Sequence, residues 1–454
     1  METPVQTDVN ANANKQQNTR SPLEDLVQPI GGLVEGVFQL PNDPGEPRFP
    51  IVNASMGDLS QALTSVAHSV AGKSVANTLD GAGGSLNADE ARIKAIAEGL
   101  ERYASCAYNE KQLRWATAQE LGAEALDLDT VPRCSPRELE HSRCPLVAPD
   151  KQAPLRWVRG LSLHDGRMVW IPAVMVYLHI PYMSRGERFW LPISTGCAAH
   201  TTLERALVGA ICEVVERDSI ALTWLQQLAL PRIELDQVPD WLVPYLQRNE
   251  RAKEAVEHLF FDATTDLGIP TIYSVHLSPR NHKLCTLVMC STELDPAVAI
   301  AKITRESASS RIAMQATRDL PLAPEDFLHV FDGATYMGRR DQLDAFGFLL
   351  RSPKRRQLSD VQSIGTGEPR LDLINLLQRL KMRGLDVYAV DISSDEALRA
   401  GMRVVRVLIP GLQPLSFSFL ARYLEHPRLY EAPGAMGYPV HPEEEINPWP
   451  QPFA

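Results

Sequence analysis

The sequence lacks the features that mark several classes of protein. Its 454 residues contain no run near the roughly 20 apolar residues of a membrane helix, and residues 1–20 have no apolar core of a secretory signal. No Gly-x-x-x-x-Gly-Lys-Ser/Thr phosphate loop occurs. The seven cysteines form no C-x-x-C pair, which predicts reduced thiols in a cytoplasmic protein, without a disulfide framework or a zinc site.

Positive charge is also scarce. The chain has 45 Lys and Arg against 56 Asp and Glu, a formal net charge of −11. An acidic surface disfavours a nucleic-acid binder and a polybasic membrane patch. Because 44% of the residues are hydrophobic and 22% charged, the composition is that of a globular protein. We therefore expect neither nucleic acid nor membrane as a partner.

Predicted strands come in groups with long helices between them. Two β-runs flank the turn at Asp165-Gly166, and further strands are predicted in residues 257–290. This order predicts an α+β fold, in which largely antiparallel sheets pack against long helices. Residues 1–24, which are rich in Asn, Gln and Thr, predict a disordered tail, and residues 25–454 a composite domain with subdomains.

Two of the long helices carry the same Glu-x-x-Glu-Arg motif. The first copy is Glu98, Glu101 and Arg102, and the second is Glu213, Glu216 and Arg217. Residues i and i+3 share a helix face, so each acidic pair projects together. If the helices meet, four carboxylates converge and need cations, which suits Mg²⁺ completed by nucleotide phosphates, with the arginines holding acidic groups or phosphate oxygens. Solvated acidic helix faces would give the same pattern.

Both helices follow loops of small residues, which suit close approach of the backbone to a ligand. A third long helix, predicted over residues 295–318, contributes Glu306, Arg311 and Arg318. Arg311 follows four small residues, so it is a candidate phosphate ligand in a cavity or, alternatively, an ordinary surface arginine.

Proline occupies every second position near the end of the chain, at Pro448, Pro450 and Pro452. Such a segment is stiff and loses little entropy when it docks. Trp449 and Phe453 are large apolar groups that suit docking, which would bring the Ala454 carboxylate to a fixed place. The alternative is a loose terminus or a recognition tail.

Four separated segments carry a family resemblance. The two Glu-x-x-Glu-Arg helices, the segment STGCAAHTTLERALVGAICEVVERDSIA, the run ESASSR with a later TRD, and the ending NPWPQPF occur in the order seen in the YcaO superfamily. More narrowly, the chain resembles the stand-alone D-protein cyclodehydratases of the SagD type, which act in thiazole/oxazole-modified peptide biosynthesis. The resemblance covers roughly residues 50–454 and implies a YcaO fold with an ATP site between helices.

The implied activity is an ATP-dependent peptide backbone cyclodehydration. A Cys, Ser or Thr side chain of a ribosomally made precursor peptide attacks the preceding amide carbonyl, ATP phosphorylates the amide-derived oxygen, and loss of phosphate leaves a thiazoline or oxazoline. The same resemblance implies that Mg²⁺ is bound by Glu98, Glu101, Glu213 and Glu216. It implies nucleotide contacts from Arg102, Thr195, Gly196, Arg217 and Arg311. It also implies a catalytic C-terminal arm with Pro448, Pro450, Pro452 and Ala454.

The resemblance further implies partners. They are a precursor peptide, a leader-binding protein and a flavin-dependent azoline dehydrogenase, with the chain itself expected as a homodimer within the complex. Two other functions remain open: thioamide or amidine formation with the same ATP chemistry, and a non-catalytic scaffold that binds nucleotide.

Overall fold

Three β-sheets form the framework of the protein. The computed structural model describes residues 20–42, 44–60, 63, 66, 79–250, 255–316, 320–327 and 330–453. In chain order its strands are β1 (Gly36–Leu40), β2 (Ile51–Ser55), β3 (Gly81–Gly84), β4 (Arg114–Ala116), β5 (Leu155–Ser162), β6 (Met168–Pro172), β7 (Cys197–His200), β8 (Arg232–Glu234), β9 (Glu257–Asp262), β10 (Thr271–Leu277), β11 (Thr286–Thr292), β12 (Arg355–Gln357), β13 (Tyr388–Asp391) and β14 (Arg403–Leu408).

The helices lie between and beside these sheets. They are α1 (Ala88–Cys106), α2 (Ala118–Leu121), α3 (Pro136–Glu140), α4 (Ala173–Val176), α5 (Leu203–Leu225), α6 (Val243–Glu250), α7 (Pro296–Gln315), α8 (Val330–Met337), α9 (Gly347–Leu350), α10 (Pro369–Met382), α11 (Asp395–Arg399) and α12 (Arg428–Ala435). No helix within the described ranges combines the length and the apolar character that crossing a membrane requires.

The sheets have three, five and six strands. Their orders are β1-β2-β3, then β11-β10-β9-β8-β12, then β4-β5-β13-β14-β7 with β6 paired to β5. Every pair of these strands is antiparallel except β8 with β12. The prediction of an α+β fold with largely antiparallel sheets is therefore confirmed. The strands β3, β7 and β11 each lie at the end of their sheet.

The glycines before α1 serve helix packing. A Cβ at Gly81 would lie 2.1 Å from the Ala95 carbonyl oxygen, and one at Gly83 would lie 2.0 Å from that of Ala91. Only glycine permits this contact between a strand and a helix backbone. At these two positions the small residues serve the packing of β3 on α1, and close approach of the backbone to a ligand stays a prediction.

The helix α5 joins two of the sheets. It contacts β7 and β14 of the six-stranded sheet and β11 of the five-stranded sheet. Ala206, Ala210 and Ile211 in its first half are buried with Leu376 of α10, whereas Trp224 in its second half packs in another core. A helix that is apolar nearly all round is buried on most sides, so its few acidic residues are enclosed by the fold.

The first described residues of the chain contact α1. Residues 1–19 lie outside the described part, but Pro22–Leu26 form a 3₁₀ helix with Leu23 buried. The Glu24 carboxylate accepts a hydrogen bond from Arg92 Nε at 2.7 Å. Residues 20–24, which the sequence placed in a disordered tail, are thus held on α1; the rest of that prediction, residues 1–19, lies outside the described residues.

Candidate active site

The acidic residues of the two Glu-x-x-Glu-Arg helices are held by the edges of the sheets. We call them the glutamate quartet: Glu98, Glu101, Glu213 and Glu216. Each accepts a hydrogen bond from one backbone N–H. The donors are Ala82 to Glu98 at 3.1 Å, Ala199 to Glu101 at 2.9 Å, Gly196 to Glu213 at 3.0 Å and Thr292 to Glu216 at 3.0 Å. These donors belong to β3, β7, the residue before β7, and β11.

Edge strands explain this arrangement. An edge strand has N–H groups that no neighbouring strand uses, and those groups are available for other acceptors. The three sheets present their edges to α1 and α5, so the main chain fixes one oxygen of each carboxylate. Both copies of the motif therefore contribute to one site, which helix-face spacing alone could not show.

The carboxylates of the two helices are close enough to repel each other. Burial raises the pKa of Glu101 to about 8, and the negative charges of Glu213 and Glu98 contribute to the rise. Burial likewise raises the pKa of Glu216 to about 7, although Lys302 and Arg217 oppose the shift. The interpretation as solvated acidic helix faces is wrong for Glu216, which is buried, and Glu101 is only partly exposed. The positive charges near the site therefore do not fully compensate the negative charges of its carboxylates.

Each motif's arginine pairs with its own helix. Arg102 Nη2 lies 2.6 Å from Glu98 Oε1, and its Nη1 donates to the Asp80 carbonyl at 2.5 Å. Arg217 Nη2 lies 3.3 Å from Glu213 Oε1, with its Nε 3.9 Å from Glu216 Oε1. A contact from either arginine to phosphate stays a prediction.

Helix α7 adds a cation that the sequence analysis missed. Lys302 Nζ lies 4.0 Å from Glu216 Oε2 and 3.4 Å from Glu293 Oε1. Although burial opposes it, the negative charges of Glu216 and Glu306 raise the pKa of Lys302 above its usual value. Lys302 is one helical turn before Glu306, so the two residues share a helix face. This spacing is the feature of the sequence that could have indicated Lys302 as a site residue.

Arg311 is engaged elsewhere. The residue is 1% exposed, and its Nε and Nη2 both donate to Glu46, with Nη2 to Oε1 at 2.9 Å. Its Nη1 has no hydrogen-bond partner within the described residues. Glu46 is 265 residues away in sequence, so no local pattern indicates the pair. The proposed contact of Arg311 with phosphate stays a prediction, and it would require a change of partner or use of Nη1.

Gly196 and Thr195 lie beside the quartet. Gly196 has φ +85°, and a Cβ there would lie 2.3 Å from the Val407 carbonyl oxygen. The residue therefore has to be glycine for its N–H to reach Glu213. Thr195 lines a small cavity of about 40 Å³ with Val214 and Arg217.

The quartet fits Mg²⁺ when phosphate supplies the other ligands. Within the described ranges, no three His, Cys, Asp or Glu side chains are arranged to enclose one metal ion. Mg²⁺ commonly takes one or two carboxylates and completes its octahedron with water and phosphate oxygens. Glu101 uses Oε2 for the Ala199 N–H, which leaves Oε1 to a cation. The individual metal-ligand assignments stay predictions.

The C-terminal arm, residues 447–453, is docked beside the quartet. Asn447 donates from its backbone N–H to the Leu225 carbonyl at 2.9 Å and from Nδ2 to that of Trp224 at 3.0 Å. Phe453 is 4% exposed, and the Arg217 guanidinium lies 4.6 Å from its ring centre. The docked arm agrees with the stiff segment that the prolines predict.

Details of the arm differ from expectation. Among the predicted catalytic prolines, Pro450 and Pro452 are buried but Pro448 is exposed. Trp449 is 38% exposed and is not the buried anchor that we expected; Phe453 alone fills that role. Ala454 and Arg318 lie outside the described residues, so the predicted role of the terminal carboxylate stays a prediction.

Comparison with known proteins identifies the family. A family model described as YcaO cyclodehydratase, ATP- and Mg²⁺-binding, matches residues 82–413. The chain is 27% identical over 359 residues to an uncharacterized protein in the tfuA 3′ region of Rhizobium leguminosarum bv. trifolii, and the match covers 75% of this chain and 76% of that protein.

Solved structures share the fold. A heterocyclase in complex with substrate and cofactor is 22% identical with a TM-score of 0.75, covering 97% of this chain but 58% of its own. The YcaO of Methanopyrus kandleri bound with AMPPCP and Mg²⁺ is 18% identical with a TM-score of 0.59, covering 84% of this chain and 86% of its own. A chain of the Escherichia coli microcin synthetase McbBCD complex is 15% identical with a TM-score of 0.60. The match covers 92% of this chain and 96% of that one. The chain thus spans little more than half the length of the first of these proteins.

The family match extends over most of the chain and includes the quartet, the residues that anchor it, and α7. The family is described as binding ATP and Mg²⁺, and its chemistry is of the ATP-dependent cyclodehydratase type. This chain belongs to the YcaO cyclodehydratase family.

Proposed function

We propose that this chain is the cyclodehydratase component that converts Cys, Ser or Thr of a ribosomally synthesised precursor peptide to thiazolines or oxazolines. The observation that supports this most directly is the glutamate quartet. It joins two helices, is anchored by three sheet edges and has an excess of negative charge. Such a site is suited to Mg²⁺ with nucleotide phosphates.

The chemistry requires a good leaving group. Attack of a thiol or hydroxyl on an amide carbonyl places negative charge on an oxygen that leaves poorly. When bound, Mg²⁺–ATP would supply the phosphoryl group for this oxygen, which can then leave as phosphate. The protein's part is then to hold the phosphates in position and to place the amide against them, which are the main sources of rate in phosphoryl transfer.

The residues of the chain have distinct parts in this proposal. Glu101 and Glu216 offer carboxylates to the cation, whose charge favours their ionised forms. Lys302 keeps Glu216 compensated before the cation binds. Arg217 lies between the quartet and Phe453, so it links the nucleotide side of the site to the arm. The arm then forms the wall along which the substrate amide is placed.

The partners in this proposal are a precursor peptide, a leader-binding protein and a flavin-dependent azoline dehydrogenase, with the chain as a homodimer in the complex. The acidic composition, with a formal net charge of −11, offers no evident module that would recognise a leader peptide. We therefore expect efficient ring formation only when the leader-binding partner is present.

Mass spectrometry tests the proposal. Precursor peptide incubated with the chain, its partner and ATP should lose the mass of one water per ring. Glu101→Gln and Glu216→Gln should each abolish the loss, while Glu140→Gln, at an exposed residue of α3, should react like the parent. Replacement of oxygen by sulfur would indicate thioamide formation instead. ATP binding without any change in peptide mass would indicate a nucleotide-binding scaffold.

A further inference from the structure

Trp449 presents an exposed indole on a fixed backbone. Its carbonyl oxygen accepts a hydrogen bond from Trp224 Nε1 at 3.2 Å, and its N–H donates to Asn447 Oδ1 at 3.2 Å. Two residues later the arm lies directly on α8, since a Cβ at Gly333 would be 2.2 Å from the Gln451 carbonyl oxygen. A large aromatic residue that is 38% exposed on a backbone held in place is typical of a recognition residue.

Trp449 is one of the residues that line a cavity of about 570 Å³, a size typical of ligand sites. Phe348 and Pro448 provide further apolar surface, and Gln227 and Ser352 provide polar groups. The charged residues of the lining are one acid and one base, Asp344 and Arg351. The lining has no net charge, so it suits an uncharged peptide segment better than a phosphate or a strongly charged ligand.

The arm connects this cavity to the quartet. Trp449 lines the cavity, and Phe453 contacts Arg217 four residues later. At about 3.1 Å per residue, an extended proline-rich segment covers about 12 Å over this interval. A second extended chain beside the arm needs about four residues to cover the same distance.

We propose that this cavity is a subsite for the precursor peptide. It holds an uncharged segment about four residues from the amide that reacts, with an apolar side chain packed on Trp449 and Phe348. This inference rests on the proposed function. It makes Trp449 a specificity-determining residue that does not touch the reacting atoms.

Steady-state kinetics with the partner protein present test the subsite. Trp449→Ala should raise the KM for precursor peptide about fivefold to tenfold, as loss of an aromatic contact does, with the KM for ATP unchanged. Trp449→Phe should recover most of the loss. Trp241→Ala removes an indole that is 47% exposed elsewhere, and it should behave like the parent. A glycine substitution in the peptide four residues from the ring-forming residue should raise KM for the parent but not for Trp449→Ala.

Direct binding separates this inference from the proposed function. If the parent makes no rings, the function is wrong, and fluorescence anisotropy of a labelled core peptide still tests the subsite by comparing the parent with Trp449→Ala. Equal peptide affinity for the two proteins, or equal peptide KM where rings form, would overturn the subsite. Weaker binding by Trp449→Ala alone, with Trp449→Phe close to the parent, would support it.

Discussion

The guanidinium of Arg217 lies 4.6 Å from the centre of the Phe453 ring. Arg217 also contacts Glu213 and Glu216, so the last described residue of the chain is in contact with the quartet through one side chain. A cation–π contact away from water contributes up to about 2 kcal/mol. The end of the arm is thus a part of the site.

Removal of the arm should separate ring formation from nucleotide binding. Deletion of residues 450–454 removes Phe453 and its contact but leaves the Asn447 anchor. We expect cyclisation to fall at least about tenfold, the loss that roughly 1.4 kcal/mol produces, with ATP affinity largely kept. Pro279→Ala, at an exposed position between β10 and β11, should cyclise peptide at nearly the parent rate. Peptide mass spectra and nucleotide titration report the two properties, and parent-rate cyclisation by the truncated chain would contradict the role of the arm.

Lys302→Met should destabilise the protein. The substitution keeps the length of the side chain but removes the ammonium group that pairs with Glu293 and, together with Arg217, with Glu216. We expect the free energy of unfolding to fall by about 2 kcal/mol, less than a fully buried pair would lose, because the Lys302 side chain is 31% exposed. Adding Glu216→Gln should recover part of the loss, since the acid is then neutral. Urea unfolding measures both variants.

The matched control for that experiment is Lys151→Met. Lys151 pairs with Asp127 and Asp129 on the surface, at 2.8 Å and 2.5 Å. Solvent and salt screen such pairs, so we expect no measurable change in unfolding. A loss in this control as large as that in Lys302→Met would show that the effect is not specific to the quartet.

Gly81→Ala should move the first glutamate of the quartet. The added Cβ would lie 2.1 Å from the Ala95 carbonyl oxygen and 2.4 Å from the Gly99 nitrogen, so β3 and α1 must separate. The N–H of Ala82, next in β3, then no longer holds Glu98. We expect a loss of stability of about 1–3 kcal/mol together with weaker ATP binding.

Gly209→Ala is the matched control in α5. Its nearest atom outside the helix is Ala198 Cβ at 3.8 Å, and alanine is favoured over glycine in a helix by about 1 kcal/mol. This variant should melt at or above the parent temperature. If Gly81→Ala also melts like the parent and binds ATP equally well, the close packing of β3 on α1 does not position Glu98.

Two histidines, the fully buried His276 and the partly buried His258, should make the fold sensitive to acid. The rings of His258 and His276, on the paired strands β9 and β10, are 3.9 Å apart. Burial lowers the pKa of His258 to about 3, and the positive charge of Arg311 adds to this shift. Burial also lowers the pKa of His276 well below its usual value, with smaller contributions from His258 and Arg311. In the unfolded chain both have a pKa of about 6.5.

The sign of the effect follows from the protons bound. Below pH about 6.5 the unfolded chain binds more protons at these histidines than the folded protein, so stability rises with pH and is lost as pH falls from about 6.5 toward about 3. His258→Phe removes one titrating group, and its urea midpoint should fall less than that of the parent between about pH 7 and pH 5. Parallel pH profiles for the two proteins would refute this.

The sequence by itself determined the fold class and the composition of the quartet. Helical periodicity and i,i+3 spacing are local properties, so Glu98 with Glu101 and Glu213 with Glu216 could be paired without coordinates. Alternating strands and the Asp165-Gly166 turn predicted antiparallel pairing in the same way. The proline spacing predicted a stiff arm because each proline restricts its own backbone.

Only the tertiary structure decided how these parts meet. The order of strands in the sheets placed the edges β3, β7 and β11 around the quartet, and no local pattern encodes sheet order. Arg311 met Glu46 across 265 residues, and Trp449 remained at the surface while Phe453 became buried. Burial and charge pairing depend on which distant residues the fold brings together, and the sequence around each residue does not contain that information.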